Sequence, residues 1–206
     1  MWNFARTIQK KVLASYRYWE WKVDFFKNPK RTKSWVDPGA SSTSTVRPNR
    51  FGRKTMLCVW WDQKGVDYYE LLKPGETVNI KHYPQQLIDL NLSLLKKRPE
   101  YQKRQHKVIF PWQCSIIYGK TSSGHVGSWE ILSHAAYSPD LTPSDYHLFA
   151  SMGHTLAEQR FSSYEDVKKW LDEWFAAKRE DFYWRGIHKL PERWKKCVTS
   201  NGAYFE

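Results

Sequence analysis

The sequence predicts a mixed α/β domain with helices packed on a sheet, and three of its features predict it. Two apolar runs, Thr55–Trp61 and Val66–Leu72, flank the polar stretch Asp62–Gly65 and read as a β-hairpin. An apolar stripe at helical spacing, Tyr83, Leu87, Leu90 and Leu94, sits within a helix expected from about Ile80 to Lys97. A second stripe, Val167, Trp170, Leu171, Trp174 and Phe175, follows Ser162-Ser-Tyr-Glu165, a capping-box string that starts a helix. These stripes are core faces.

The remaining elements fall between and after these. Lys107–Phe110 reads as a short central strand and Trp129–Leu132 as another. Two further helices are expected over Asp181–His188 and Pro191–Thr199. Ser138-Pro-Asp-Leu-Thr-Pro-Ser-Asp-Tyr-His-Leu-Phe149 holds two prolines, each followed closely by an aspartate. Consecutive turns there deliver Asp145 to the start of a helix. Taken by itself, the string is a turn and an N-terminal cap.

Composition narrows the class. With 206 residues the chain holds one well-buried domain, or one domain plus an arm. Its 41% hydrophobic and 26% charged residues describe a globular chain, not a disordered one. No apolar run approaches the roughly 20 residues of a membrane span, and the start, Met1-Trp-Asn-Phe-Ala-Arg6, lacks the apolar stretch of a signal peptide. Cys58, Cys114 and Cys197 are far apart without metal-ligand spacing, which fits reduced thiols in a reducing compartment. A net charge of +12 favours polyanionic partners, nucleic acid first and anionic membrane second.

Basic residues cluster twice. Ser41–Lys54, ending Arg47-Pro-Asn-Arg-Phe-Gly-Arg-Lys54, reads as a solvated loop or as an arm contacting phosphate or a partner subunit. Lys96, Lys97 and Arg98, with Lys103, Arg104, His106 and Lys107, suit backbone phosphates rather than base edges. Asp62 closes a strand and reads as a hairpin-turn aspartate rather than a metal ligand. His82, His106, His125, His134, His147, His154 and His188 show no zinc spacing. Of the 12 tryptophans most are assigned to the core and a smaller share to base stacking.

Several long strings point to one family. His134-Ala-Ala-Tyr-Ser-Pro-Asp140, Ala150-Ser-Met-Gly-His154, Trp184-Arg-Gly-Ile-His-Lys-Leu-Pro-Glu-Arg-Trp194 and Pro29-Lys-Arg-Thr-Lys-Ser-Trp-Val-Asp-Pro-Gly39 resemble the catalytic domain of mariner transposases. The resemblance covers Asn28–Phe110 and Trp129–Glu206. It implies a ribonuclease H-like mixed sheet flanked by helices, Mg²⁺ or Mn²⁺ as cofactor, DNA as substrate, a nuclear location, and a homodimer or a mixed dimer with an intact transposase. It also favours the arm reading of Ser41–Lys54, with phosphate contacts from Arg47, Arg50, Arg53, Lys54, Lys96, Lys97, Arg98 and Arg104. Mariner transposases carry helix-turn-helix domains before this domain. The chain is expected to start after them, so specific recognition of transposon ends is not expected.

The resemblance also assigns the chemistry. Family members cut DNA with two divalent metals bridged by three carboxylates, and Asp145 stands at the third. Counting back from Pro29 puts Glu20 at the first, inside Tyr18-Trp-Glu-Trp-Lys-Val23, where the family has T-G-D-E-K-W. The family string V-I-F-L-H-D-N reads here Val108-Ile-Phe-Pro-Trp-Gln-Cys114, which places Gln113 at the second carboxylate. A neutral amide does not supply the charge that two hard cations need between them. The expected outcome is little or no cleavage. The alternative function is a non-catalytic DNA-binding or dimerising protein that interferes with an intact relative.

Both altered stretches read as frame errors. The family's D-N-A-P-S-H-T-A-R, written in codons and read from the last base of the first, becomes Q-C-S-I-T-Y-G-K. The chain has Gln113-Cys-Ser-Ile-Ile-Tyr-Gly-Lys120, different at one position. L-H-R-I-V-T-G treated alike becomes A-S-Y-R-Y-W, which stands here at Ala14–Trp19. Residues 1–27 and 111–128 are therefore expected to be degenerate parts of a catalytic domain that otherwise spans 28–206. Gly119, Gly124 and Gly127 favour loop over helix in the second window, and Val12–Phe26 must supply the first strand of the sheet with an uncertain register. Sequencing the locus and its transcript should reveal family-like codons one frame away in both windows, and unrelated codons would contradict the frame reading.

Overall fold

The structure is a computed structural model that describes residues 15–24, 54–79, 82–99, 107–109, 125–126, 129–131, 138–157 and 159–202. Its strands are β1 (Ser15–Asp24), β2 (Lys54–Asp62), β3 (Gly65–Leu71), β4 (Lys107–Ile109), β5 (His125–Val126) and β6 (Trp129–Ile131). Helix α1 (His82–Lys97) lies between β3 and β4. After β6 come a 3₁₀ turn (Pro139–Leu141), a π-helical turn (Ser144–Phe149), α2 (Ala150–Leu156), α3 (Tyr164–Ala176), α4 (Glu180–His188) and α5 (Leu190–Thr199). Arg47, Arg50, Arg53, Arg104 and Gln113 lie outside the described residues, as does most of the 111–128 window.

Strand β2 organises the domain because both of its faces are buried. Its sequence Met56-Leu-Cys-Val-Trp-Trp61 is apolar throughout, and alternate side chains point to opposite faces of a strand. Leu57, Val59 and Trp61 pack with Leu148, Met152, Val167, Leu171 and Ile187 from the π-turn and helices α2–α4. Met56, Cys58 and Trp60 pack with Tyr83, Leu87, Leu90 and Leu94, the predicted stripe of α1. Burial pushes the Cys58 thiol up to about 12, so it is an inert core residue.

Strands β1 and β3 pair with β2 antiparallel, while β4 runs parallel to β6 and β5 antiparallel to it. β1 also lies against β4, which brings the two three-stranded sheets side by side. In β1 the register slips: Arg17 faces Val59 but Trp21 faces Leu57, so four steps along β1 match two along β2. Glu20 lies within this bulge, the device by which a strand absorbs surplus residues. Residues 15–24 thus supply the first strand, with a break in its pairing.

The hairpin and α1 are fastened together by buried charge. Asp62 Oδ1 accepts the backbone N–H of Lys64 at 2.7 Å and of Gly65 at 3.2 Å, the predicted role of a turn aspartate. Gly65 has φ +145°, which L side chains rarely adopt. Arg98, just beyond α1, pairs with Asp62 and, at 3.0 Å, with Asp67; both carboxylates are fully buried. Lys97 Nζ donates to the carbonyls of Val66 at 3.1 Å and Asp67 at 2.8 Å, and its desolvation lowers its pKa. Arg98 is therefore a structural cation here rather than the expected phosphate contact, because its guanidinium is spent on two buried aspartates. Lys97 is likewise turned to the hairpin, and Lys96 stays exposed.

The cap of α3 sits one residue later than the sequence suggested. Asp166 N donates to Ser163 Oγ at 3.1 Å and Ser163 N donates back to Asp166 Oδ2 at 3.0 Å, so the box is Ser163/Asp166 and not Ser162/Glu165. This phase buries Val167, Leu171 and Trp174, with Trp170 and Phe175 half-buried at the margin. Helices α4 and α5 match the expected spans to within a residue.

Replacing Arg98 by alanine leaves Asp62 and Asp67 buried without their counter-charge. The expected loss is about 3–5 kcal/mol in urea unfolding, against no more than about 0.5 kcal/mol for Lys96→Ala on the exposed side.

Candidate functional site

Asp145 is the predicted site residue that the structure describes most fully, and its position is fixed from several directions. The 3₁₀ turn closes with Leu141 N on Ser138 O at 3.2 Å and Thr142 N on Pro139 O at 3.1 Å. Thr142 O then accepts Asp145 N at 2.9 Å and Tyr146 N at 3.2 Å. The sequence predicted turns leading to a helix start, and the structure adds that the first helical stretch is a π-turn. Such wide turns recur at functional sites because they re-aim side chains.

Each neighbour of Asp145 is tied to a different element. Ser144 is fully buried, and its Oγ accepts the indole N–H of Trp61 at 3.0 Å, which joins the turn to β2. Tyr146 donates its hydroxyl to Gly186 O on α4 at 2.6 Å. His147 Nε2 donates to Phe182 O at 2.8 Å, with its ring 4.3 Å from that of Phe182. Arg193 of α5 lies 4.1 Å over the Tyr146 ring and donates to Asp140 O at 3.0 Å. The turn is held by β2, α4 and α5 together.

Burial sets the protonation of this group. The His147 pKa lies below 6.5, first because the ring is desolvated and then because Lys189, Arg185 and Lys178 repel its charged form, although the bond to Phe182 opposes the shift. His147 is thus neutral at pH 7. Burial raises the Tyr146 phenol above its ordinary value, so it acts as a hydrogen-bond donor and not as a base.

Trp61, Tyr146, Gly186 and Arg193 were not named as site residues from the sequence. Only Gly186, a glycine inside a helical pattern, left a local signal. A Cβ built on it would lie 2.5 Å from His147 Cδ2 and 3.1 Å from Trp61 Cη2, so α4 approaches the turn as closely as it does only through glycine.

The resemblance implies a metal centre at the positions of Glu20, Gln113 and Asp145. Among the described residues no group of three or more His, Cys, Asp or Glu side chains stands together in a way that could hold a metal ion. The positions assigned by sequence are Asp145 on the π-turn, Glu20 in the bulge of β1, and Gln113 outside the described residues.

Three comparisons place this architecture. A transposase family described as "Transposase (partial DDE domain)" matches residues 25–104. The mariner Mos1 transposase of Drosophila mauritiana is 70% identical over 187 residues, covering 88% of this chain, which spans about half (54%) of that protein. The solved catalytic domain of the Mos1 mariner transposase superposes with TM-score 0.73 at 51% identity, covering 99% of this chain and 91% of the other. A Mos1 paired end complex with Mg superposes with TM-score 0.82 at 59% identity, covering 99% of this chain and 60% of the other. The fold is therefore ribonuclease H-like, as expected.

Gly186→Ala removes a helix-disfavouring residue, which at an open site would stabilise by up to about 1 kcal/mol. Overpacking against His147 and Trp61 should reverse the sign and cost about 1–3 kcal/mol, read as a lowered urea midpoint. A stabilised variant would contradict the close approach.

Proposed function

The chain belongs to the mariner transposases, in the part that forms their catalytic domain, and from that premise we propose that it binds DNA but has lost metal-dependent cleavage and strand transfer. The observation that carries this reading is Gln113, an amide where the family's second catalytic aspartate stands. Asp145 remains, held in its turn by Trp61, Gly186 and Arg193, but a single well-placed carboxylate does not bind two divalent cations.

DNA binding survives in this reading because it depends on distributed charge rather than on one centre. A net charge of +12 and the exposed Lys96 supply phosphate contacts, joined by Arg47, Arg50, Arg53, Lys54 and Arg104. The basic arm Ser41–Lys54, which lies inside the matched residues, also favours assembly with an intact relative, where a subunit without a working centre would poison the complex.

Incubating supercoiled plasmid with the purified chain and Mn²⁺, beside Asp145→Ala, tests the reading. Neither protein should nick the plasmid, and both should bind duplex DNA with the same steep loss of affinity as salt rises. Nicking by the parent chain that disappears in Asp145→Ala would show a working metal site and overturn the proposal.

A further inference from the structure

Trp184 stands apart from the other aromatic side chains of the helical half. It is 47% exposed, while Trp61, Trp174 and Tyr183 are buried in the core. Exposure does not leave it loose. The His188 ring stacks on one face of the indole, with centroids 3.8 Å apart and planes 14° from parallel. His188 Nδ1 in turn donates to Trp184 O at 2.9 Å, which fixes the stacking ring. One face of the indole is thus covered, and Trp184 also lines a cleft of about 370 Å³ together with Arg179, Glu180 and Asp181.

The chemistry of this cleft is particular. Trp184 is its aromatic lining residue, and the other three, Arg179, Glu180 and Asp181, are charged. Arg179 is exposed and offers a guanidinium; Glu180 is exposed and offers an acceptor. Asp181 is held by Arg185 at 3.1 Å, which adds a second cation beside the cleft. A protein partner would meet few apolar neighbours here, whereas the centres of protein interfaces are depleted in charge. A nucleobase matches each part: a flat π-face for the indole, ring and exocyclic N–H groups for Glu180, and a flanking phosphate for Arg179. The volume lies within the range of small-ligand sites. A base inside a duplex has its faces covered by its neighbours, so the fitting ligand is unpaired.

We infer that the cleft in front of Trp184 binds an unpaired nucleobase of DNA, stacked on the indole with its phosphate on Arg179. The inference rests on the DNA-binding reading above and adds to it a site for single strands, apart from the Asp145 turn.

Fluorescence anisotropy with a labelled oligothymidylate, and with a hairpin duplex of equal charge, separates the outcomes. Trp184→Ala should weaken binding of the oligothymidylate roughly tenfold and leave duplex binding within about twofold. Trp184→Phe, which keeps an aromatic face, should retain most of the affinity. Trp184 is exposed, so these variants fold, and unfolding midpoints verify it. Unchanged affinity of Trp184→Ala for the single strand, or equal weakening for both ligands, overturns the inference while the DNA-binding reading stands. Failure of the parent chain to bind either ligand removes the DNA-binding reading and this inference with it. Self-association that Trp184→Ala abolishes in sedimentation, with single-strand affinity unchanged, would instead assign the ring to a protein interface.

Discussion

Burial of β2 on both faces is the constraint from which the other features follow. A strand that buries Leu57, Val59 and Trp61 on one side and Met56, Cys58 and Trp60 on the other needs a helical layer on each. Each large side chain contributes roughly 1.5–3 kcal/mol on burial, so this strand outweighs any single polar contact in the domain. α1 supplies one layer, and the π-turn with α2, α3 and α4 supplies the other. The same strand carries the Trp61 indole that reaches Ser144, 83 residues later in the chain, and so sets where the Asp145 turn sits. Hydrophobic packing and the position of the candidate site are thus one arrangement.

Polar groups then fix what packing leaves free. Arg98 draws the end of α1 onto the hairpin through Asp62 and Asp67, which sets how the two elements meet. Gly186 lets α4 approach the turn closely enough for Tyr146 and His147 to bond its backbone. Both devices lie away from residues 12–26 and 111–128. The contacts that hold the frame around Asp145 therefore do not draw on those residues.

What could be read in advance follows the range of each interaction. The hairpin, the stripe of α1 and the spans of α3 to α5 rest on local periodicity, and they were legible to within a residue or two. The cap of α3 was displaced by one because Ser162 and Ser163 are both good caps, and only the core-facing phase of Val167 and Leu171 selects between them. Arg98 was misread for a different reason. A run of cations looks alike in sequence whether it faces solvent or two buried aspartates, and only the fold tells these apart. The π-turn and its ties to Trp61 and Arg193 depend on contacts across much of the chain, which no local pattern encodes. The proposed change in the carboxylate set, by contrast, rests on resemblance alone, through Gln113 in a family string.

The central claim is that the scaffold persists without a two-metal centre. Titrating the purified chain with Mn²⁺ and following free ion by electron paramagnetic resonance tests that claim most directly. The account predicts the spectrum of hydrated Mn²⁺ throughout, with Asp145→Ala indistinguishable from the parent. Two equivalents of bound Mn²⁺ per chain, lost on Asp145→Ala, would contradict it.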